Sequence, residues 1–466
     1  MAGRTSSWMQ LSAQRFRMRR LEHALVRRDV AMHDDPLRSQ SLSFVVGAVL
    51  AVIVVAACVV VAVVRPHGTL GSARIVLVRE SGALYVLIGE TWHPAANLAS
   101  ARLITRSADE PRVVGERALD GVRRGPAVGI PGAPDPLGAP QAWDVWTVCD
   151  GADTVVAAGS GASPADRFDP DGTVLVTPRG EAPALTYLLY EGRRARVDLR
   201  ETAVVRALRL DRIVPQPVSR ALLDTVPEVA PITVPLVDGA GEAGPGAVGE
   251  PVGSVVRVLG AAGAEHYVVL ADGMQRIGEV AADVIRFARA ESTAVAPTVA
   301  PAAVAATRLV DRLPVADFPA HARQVAGAFD GLVCARWRAG TAEASSTTTV
   351  LVGAALPADA DADAVALAQA DGAGPRVDRV QLPRGRSSYV ASTPILGPGG
   401  DTGPKHLVTD AGVVSGVRDD AVATALGLPS TPVSAPWPVL AWLPRGPELA
   451  IEDASVARDA PVVTVR

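Results

Sequence analysis

LSFVVGAVLAVIVVAACVVVAVV, residues 42–64, runs for 23 residues without a charged side chain. A helix of that length covers about 34 Å, slightly more than a hydrocarbon core of about 30 Å. Fifteen of its residues are Val, Leu, Ile or Phe. At about −0.3 to −0.6 kcal/mol each, they contribute about −4.5 to −9 kcal/mol towards insertion. Valine richness would suit a buried strand, but strands rarely run this long. The stretch therefore predicts one transmembrane helix over 42–64. A cleaved signal peptide is the competing reading. LGSA at 70–73 resembles a cleavage site, yet 41 residues precede the run, far more than a signal peptide carries before its apolar core.

Charge around the run sets its expected direction. Arg4, Arg15, Arg17, Arg19, Arg20, Arg27, Arg28 and Arg38 precede it, and only Arg65 and Arg74 follow closely. The positive-inside rule then keeps residues 1–41 in the cytoplasm and sends residues 65–466 across the membrane as a single-pass protein. Leu11, Met18, Leu21, Leu25 and Met32, spaced 7, 3, 4 and 7, form one stripe of a helix flanked by Arg15, Arg19 and Arg20. Asp34, Asp35 and Pro36 are its expected stop. A lone amphipathic helix has no core of its own, so this stripe must lie on anionic lipid or in a protein partner.

Composition narrows the function classes. A formal net charge of −4 argues against nucleic acid as a partner. Cys58 lies within the span, where it fills space as a small apolar residue. Cys149 and Cys334 fall in the exported part, where two thiols are more often paired than free.

In the exported part, four stretches near 81–106, 185–210, 265–289 and 405–428 share one order. Each has an apolar run, a turn, a second run and a helix-like segment. Tyr85, Tyr187, Tyr267 and His406 open them, and turn residues follow at Gly89, Glu191–Gly192, Asp272–Gly273 and Asp410–Gly412. We read these as four β-hairpin/helix repeats. Apolar runs at 143–149, 173–176, 347–353 and 377–383 predict a central β-rich core built from 110–180 and 315–395. Residues 430–466 read as a C-terminal strap ending in a short helix. The fold class is α+β.

Motifs for chemistry are sparse. Lys405 is the only lysine, and GDTGPKHL lacks the hydroxyl that a phosphate-binding GxxxxGK[ST] loop requires. Two overlapping GxGxxG matches at 239–249 sit in a Gly/Pro-rich loop. DADAD at 359–363 resembles a calcium loop, but Ala364 and Ala370 stand where glycine and glutamate are needed. The seven histidines show no metal-ligand spacing. No cofactor, metal or catalytic residue is assigned.

The chain resembles the EccB family, a membrane component of actinobacterial type VII (ESX) secretion. RFRMRRLEHALVRRD before a single span, SGALYVLIGETWHPAANLASARLI (81–104), GIPGAP (129–134), PQPVSRALLDTVPE (215–228) and WLPRGPEL (442–449) carry the likeness from about residue 11 to 450. The resemblance implies a structural subunit of the inner-membrane core complex, with EccC, EccD, EccE and further copies of itself as partners beside membrane lipid. It also implies a central-core disulfide between Cys149 and Cys334. Family members are often labelled ATPases. The alternative function is accordingly an enzyme, either an ATP hydrolase with a non-standard site or a cell-wall hydrolase; a peptidoglycan-binding module is a third reading.

Overall fold

The computed structural model of the chain describes residues 6–28, 36–64, 70–159, 169, 172–180, 185–260, 263–289, 295–341, 345–353, 364–397 and 402–459. The chain divides into two compact units, Met1–Thr69 and Leu70–Arg466.

In the first unit, α1 spans Ser6–Arg27 and α2 spans Pro36–Val64. α2 starts six residues before the apolar run because proline at the first helical position gives up no hydrogen bond and is preset in φ. Its stretch Leu42–Val60 is apolar enough to cross a membrane and buries nothing against the protein. α1 stops well before the expected boundary at 34–36. Arg28 turns into the left-handed region at φ 55°, which ends the helical hydrogen-bond ladder. Met32, the last residue of the stripe, lies outside the described residues.

The second unit contains a hairpin followed by a helix at four places. Leu84–Ile88 and Thr91–Ala95 precede α3 (Leu98–Thr105). Tyr187–Tyr190 and Arg193–Val197 precede α4 (Thr202–Ala207), with α5 (Arg220–Thr225) following. Gly263–Leu270 and Gly273–Ile277 precede α6 (Glu279–Ala288). Lys405–Thr409 and Val414–Gly416 precede the Asp420–Leu426 helix. Asn97, Ser219 and Asp419 accept backbone N–H groups at the starts of α3, α5 and the last of these helices, satisfying orphan donors.

Each hairpin has a third strand that the sequence pattern does not assign to it. Ile75–Val78, Thr173–Pro178, Val255–Gly260 and Arg386–Thr393 pair antiparallel with the first hairpin strand. On its other edge the same strand meets, in parallel, chain that returns after the helix. The partners are Val76 with Arg112, Val176 with Gln216, Arg257 with Thr298, and Val390 with Val433. A two-stranded hairpin is marginal in water, and the added strands and helix give it a face to bury.

This arrangement corrects the expected boundaries. Arg112–Val114, Thr173–Pro178 and Arg386–Thr393 fall within 110–180 and 315–395 but belong to the hairpin sheets. The central sheet keeps Val145–Asp150, Thr154–Gly159, Leu332–Arg338, Thr347–Gly353, Val365–Ala366 and Arg379–Gln381. The strap does not end in its short helix Ile451–Ala454. A further strand, Ala457–Arg458, pairs with Ala127–Val128 at the edge of the first sheet.

Packing follows from the leftover apolar faces. α4 and α6 lie together with Leu188, Val197, Val204, Val268, Val280 and Ile285 in one core, so the second and third hairpin units bury each other. Ala99 and Leu103 of α3 pack with Tyr389, Leu407, Val422 and Leu426, which joins the first unit to the fourth. The central sheet's core carries the fully buried Trp143, Trp146 and Trp337, and it also takes Val174 and Leu189 of the second unit and Val390 and Val408 of the fourth. Among the described residues, only the second and fourth hairpin units contribute to that core. The first and third are attached through them, not ranged around one shared centre.

One turn shows how close that packing is. Glu191 and Gly192 have φ of 46° and 73°, the positive pair that a two-residue hairpin loop needs. A Cβ on Gly192 would fall 1.9 Å from the Thr348 carbonyl oxygen of the central sheet. No larger residue can bring the hairpin tip that near.

Candidate assembly site

α1 presents its side chains to solvent. Leu11, Met18, Leu21 and Leu25 are 52%, 58%, 60% and 81% exposed. At about 100° per residue they fall within an arc of about 80°. Arg15 and Arg19 border that arc on one side, and Arg20 lies opposite it. The stripe-based reading missed Met9 and Phe16, which are also exposed and lie on the face of Arg20. Apolar and basic residues therefore alternate around the helix. A helix lying on lipid needs its charge gathered on one face.

Within the second unit, Cys149 and Cys334 are bonded. They lie directly opposite each other on the antiparallel strands Val145–Asp150 and Leu332–Arg338, and both are buried. The next residue, Asp150, is 1% exposed and forms an ion pair with Arg179. Its carboxylate also accepts the Ser219 N–H at 2.7 Å and the Thr154 hydroxyl at 3.1 Å. Burial pushes the Asp150 carboxyl above the usual range, opposed by the Ser219 hydrogen bond and Arg179. The network ties the central sheet to the strand end and helix start of the second hairpin unit, beside the disulfide. Its members lie far apart in sequence, and no spacing betrayed them.

The chemistry motifs stay dispersed. Among the described residues no cluster of three His, Cys, Asp or Glu side chains could hold a metal ion. Lys405 makes an ion pair with Asp420 at 2.6 Å. The glycines of 239–249 lie in turns and loop with no helix behind them, so no helix N-terminus faces a phosphate there. DADAD at 359–363 lies outside the described residues.

The family model described as type VII secretion system ESX-1, transport TM domain B, matches residues 3–463. Relatives include the ESX-3 secretion system ATPase EccB3 of Mycolicibacterium smegmatis. It is 37% identical over 470 residues, covering 97% of this chain and 90% of that protein. The ESX-2 secretion system ATPase EccB2 of Mycobacterium tuberculosis is 35% identical over 473 residues, covering 97% and 94%. Among solved structures, a chain of an intact ESX-5 inner membrane complex is similar at 30% identity and a TM-score of 0.71, covering 100% of this chain and 98% of that one. The EccB3 dimer from the ESX-3 core complex is similar at 34% identity and a TM-score of 0.70, covering 82% and 100%. With a family model matched over nearly the full length and relatives above 30% identity over 97% of the chain, this protein belongs to the EccB family of type VII (ESX) secretion.

Proposed function

We propose that this chain is a structural and assembly subunit of a type VII (ESX) inner membrane complex, scaffolding its periplasmic side. The observation that carries the reading is the end-to-end likeness to a chain of the ESX-5 inner membrane complex. EccC, EccD and EccE are its proposed neighbours, together with a second copy of itself, as in the EccB3 dimer. Tagged full-length chain purified from detergent-solubilised membrane is expected to bring these subunits with it. Recovery of the chain alone would overturn the scaffold reading.

An enzymatic reading is favoured by the word ATPase in the relatives' names. The same purified material decides it. ATP turnover that survives further purification and is abolished by a point mutation in this chain would establish the enzyme; we expect none, because the only lysine, Lys405, does not stand in a phosphate-binding GxxxxGK[ST] loop.

Orientation is proposed from the arginine asymmetry, with residues 1–41 cytoplasmic and the Leu70–Arg466 unit outside. Protease added to intact spheroplasts should digest that unit and spare a tag at residue 1. Loss of the N-terminal tag instead would reverse the topology.

A further inference from the structure

The end of α4 is crowded with arginine. Arg206 lies in its last turn, Arg209 follows the C-cap Leu208, and Arg212 stands in the next turn; all three are exposed. None of them pairs with an acid among the described residues. Arg206 lies instead over the Phe287 ring of α6, 4.8 Å from the centroid, which positions its charge without neutralising it.

The packed neighbours do not cancel this charge. On α6 and its C-cap, Glu279 and Asp283 are matched by Arg286 and Arg289. Asp283 pairs with Arg286, and Glu279 contacts His321. Glu201, at the far end of α4, accepts the Val234 N–H, and Asp198 is engaged by Arg200. From Arg206 to Arg212 three cations stand against Asp211 alone, in a chain whose formal charge is −4.

Backbone conformation is a separate observation. Arg209 and Arg212 have φ of 56° and 63°, the left-handed region where a Cβ is crowded and glycine is the usual choice. Arg209 N–H bonds to the Arg206 carbonyl and Leu210 N–H to that of Val205, closing α4 in the motif that favours glycine. The fourth hairpin unit closes its Asp420–Leu426 helix with the same two bonds and does carry glycine there, Gly427 at φ 78°. A cation near a helix C-terminus offsets the dipole, which accounts for Arg206 and Arg209. Arg212 lies beyond the helix, in a second left-handed turn, and that effect does not reach it.

We propose that this arginine turn docks an acidic segment of a partner protein, whose carboxylates meet Arg206, Arg209 and Arg212. Arginine's planar fork matches a carboxylate at two points. Val214, 64% exposed, adds an apolar contact two residues beyond Arg212, which a protein segment uses and a phosphate polymer does not. A lipid surface calls for a broad apolar face, and one valine does not supply it. Charge complementarity at an exposed site acts mainly on encounter, so the binding weakens with salt.

The test uses full-length protein in detergent micelles and the peptide acetyl-Glu-Glu-Bpa-Glu-Glu-amide, where Bpa is photoreactive benzoylphenylalanine. Irradiation should label residues 206–214, mapped by mass spectrometry, and the glutamine counterpart should label them at least about tenfold less. Arg209→Gly combined with Arg212→Gly should cut that labelling about tenfold without lowering the thermal midpoint, because glycine suits both backbone conformations. Arg206→Gln combined with Arg212→Gln, which changes only exposed side chains, should cause the same loss. Labelling of the basic helix α1 in the same samples should not change and serves as the internal control. Labelling confined to α1, equal labelling by the glutamine peptide, or undiminished labelling in both double variants overturns the proposal. Binding of sodium polyphosphate or phosphatidylglycerol vesicles at this turn without peptide labelling overturns the protein-partner assignment. Self-association that is lost in both double variants, again without peptide labelling, would make the occupant a second copy and overturn it as well.

Discussion

Leu21→Asp combined with Leu25→Asp is expected to release the protein from its membrane complex and stop secretion while leaving insertion and folding intact. Both leucines are more than half exposed, so the change removes little packing from the described structure. Like charges four residues apart weaken the helix itself by only about 0.2–0.5 kcal/mol. Topology survives because Arg27, Arg28 and Arg38 still stand between the substitutions and the span. The large effect comes from the partner side. Each carboxylate must enter a surface built for leucine, at a cost of about 1–3 kcal/mol or more if it finds no donor. Two such groups should lower complex recovery by about a hundredfold. Arg15, Arg17, Arg19 and Arg20 lie more than 20 residues before the span, too far to serve orientation alone, which is why we assign this segment a docking role as well. Wild-type recovery of the complex, with weaker retention on anionic vesicles, would instead establish a helix lying on lipid.

Cys149→Ser and Cys334→Ser should each cost the second unit a large share of its stability, and by the same amount. The bond closes a loop with a sequence separation of 185. Chain entropy for a loop of that length gives about 5 kcal/mol as an upper figure, comparable to the entire stability of many domains. The double variant should be no worse than either single one, because the crosslink is already lost. Thermal unfolding with and without reductant measures this. Two alkylated thiols in the untreated native protein would sink the prediction. Asp150 adds a second sensitivity at the same place, since its ion pair with Arg179 couples the strand carrying Cys149 to the second hairpin unit.

The likeness to EccB proteins bears on how these expectations are read. A scaffold needs rigid units and adhesive surfaces, not a reactive centre. The Leu70–Arg466 unit has helices paired across hairpin units and three buried tryptophans in its central core.

What the sequence determined by itself was local. The 42–64 run reads as a span because hydropathy sums along contiguous residues, and its proposed direction rests on charge counted on either side. The four hairpin–helix segments were legible because turn residues such as Glu191–Gly192 and the change from strand to helix periodicity are near-neighbour properties. Restriction of any disulfide to Cys149 and Cys334 followed from compartment alone. Tertiary structure decided the rest. Ile75–Val78 and Thr173–Pro178 are short buried runs whose strand partners cannot be read locally, and the parallel return strands lie about 40 residues downstream, beyond any periodic signal. Pairing of α4 with α6, the Asp150–Arg179 bond, and the stacking of His406 on Trp437 all join distant residues. Such contacts depend on which faces remain unburied once each unit has folded, and short-range pattern carries no record of that.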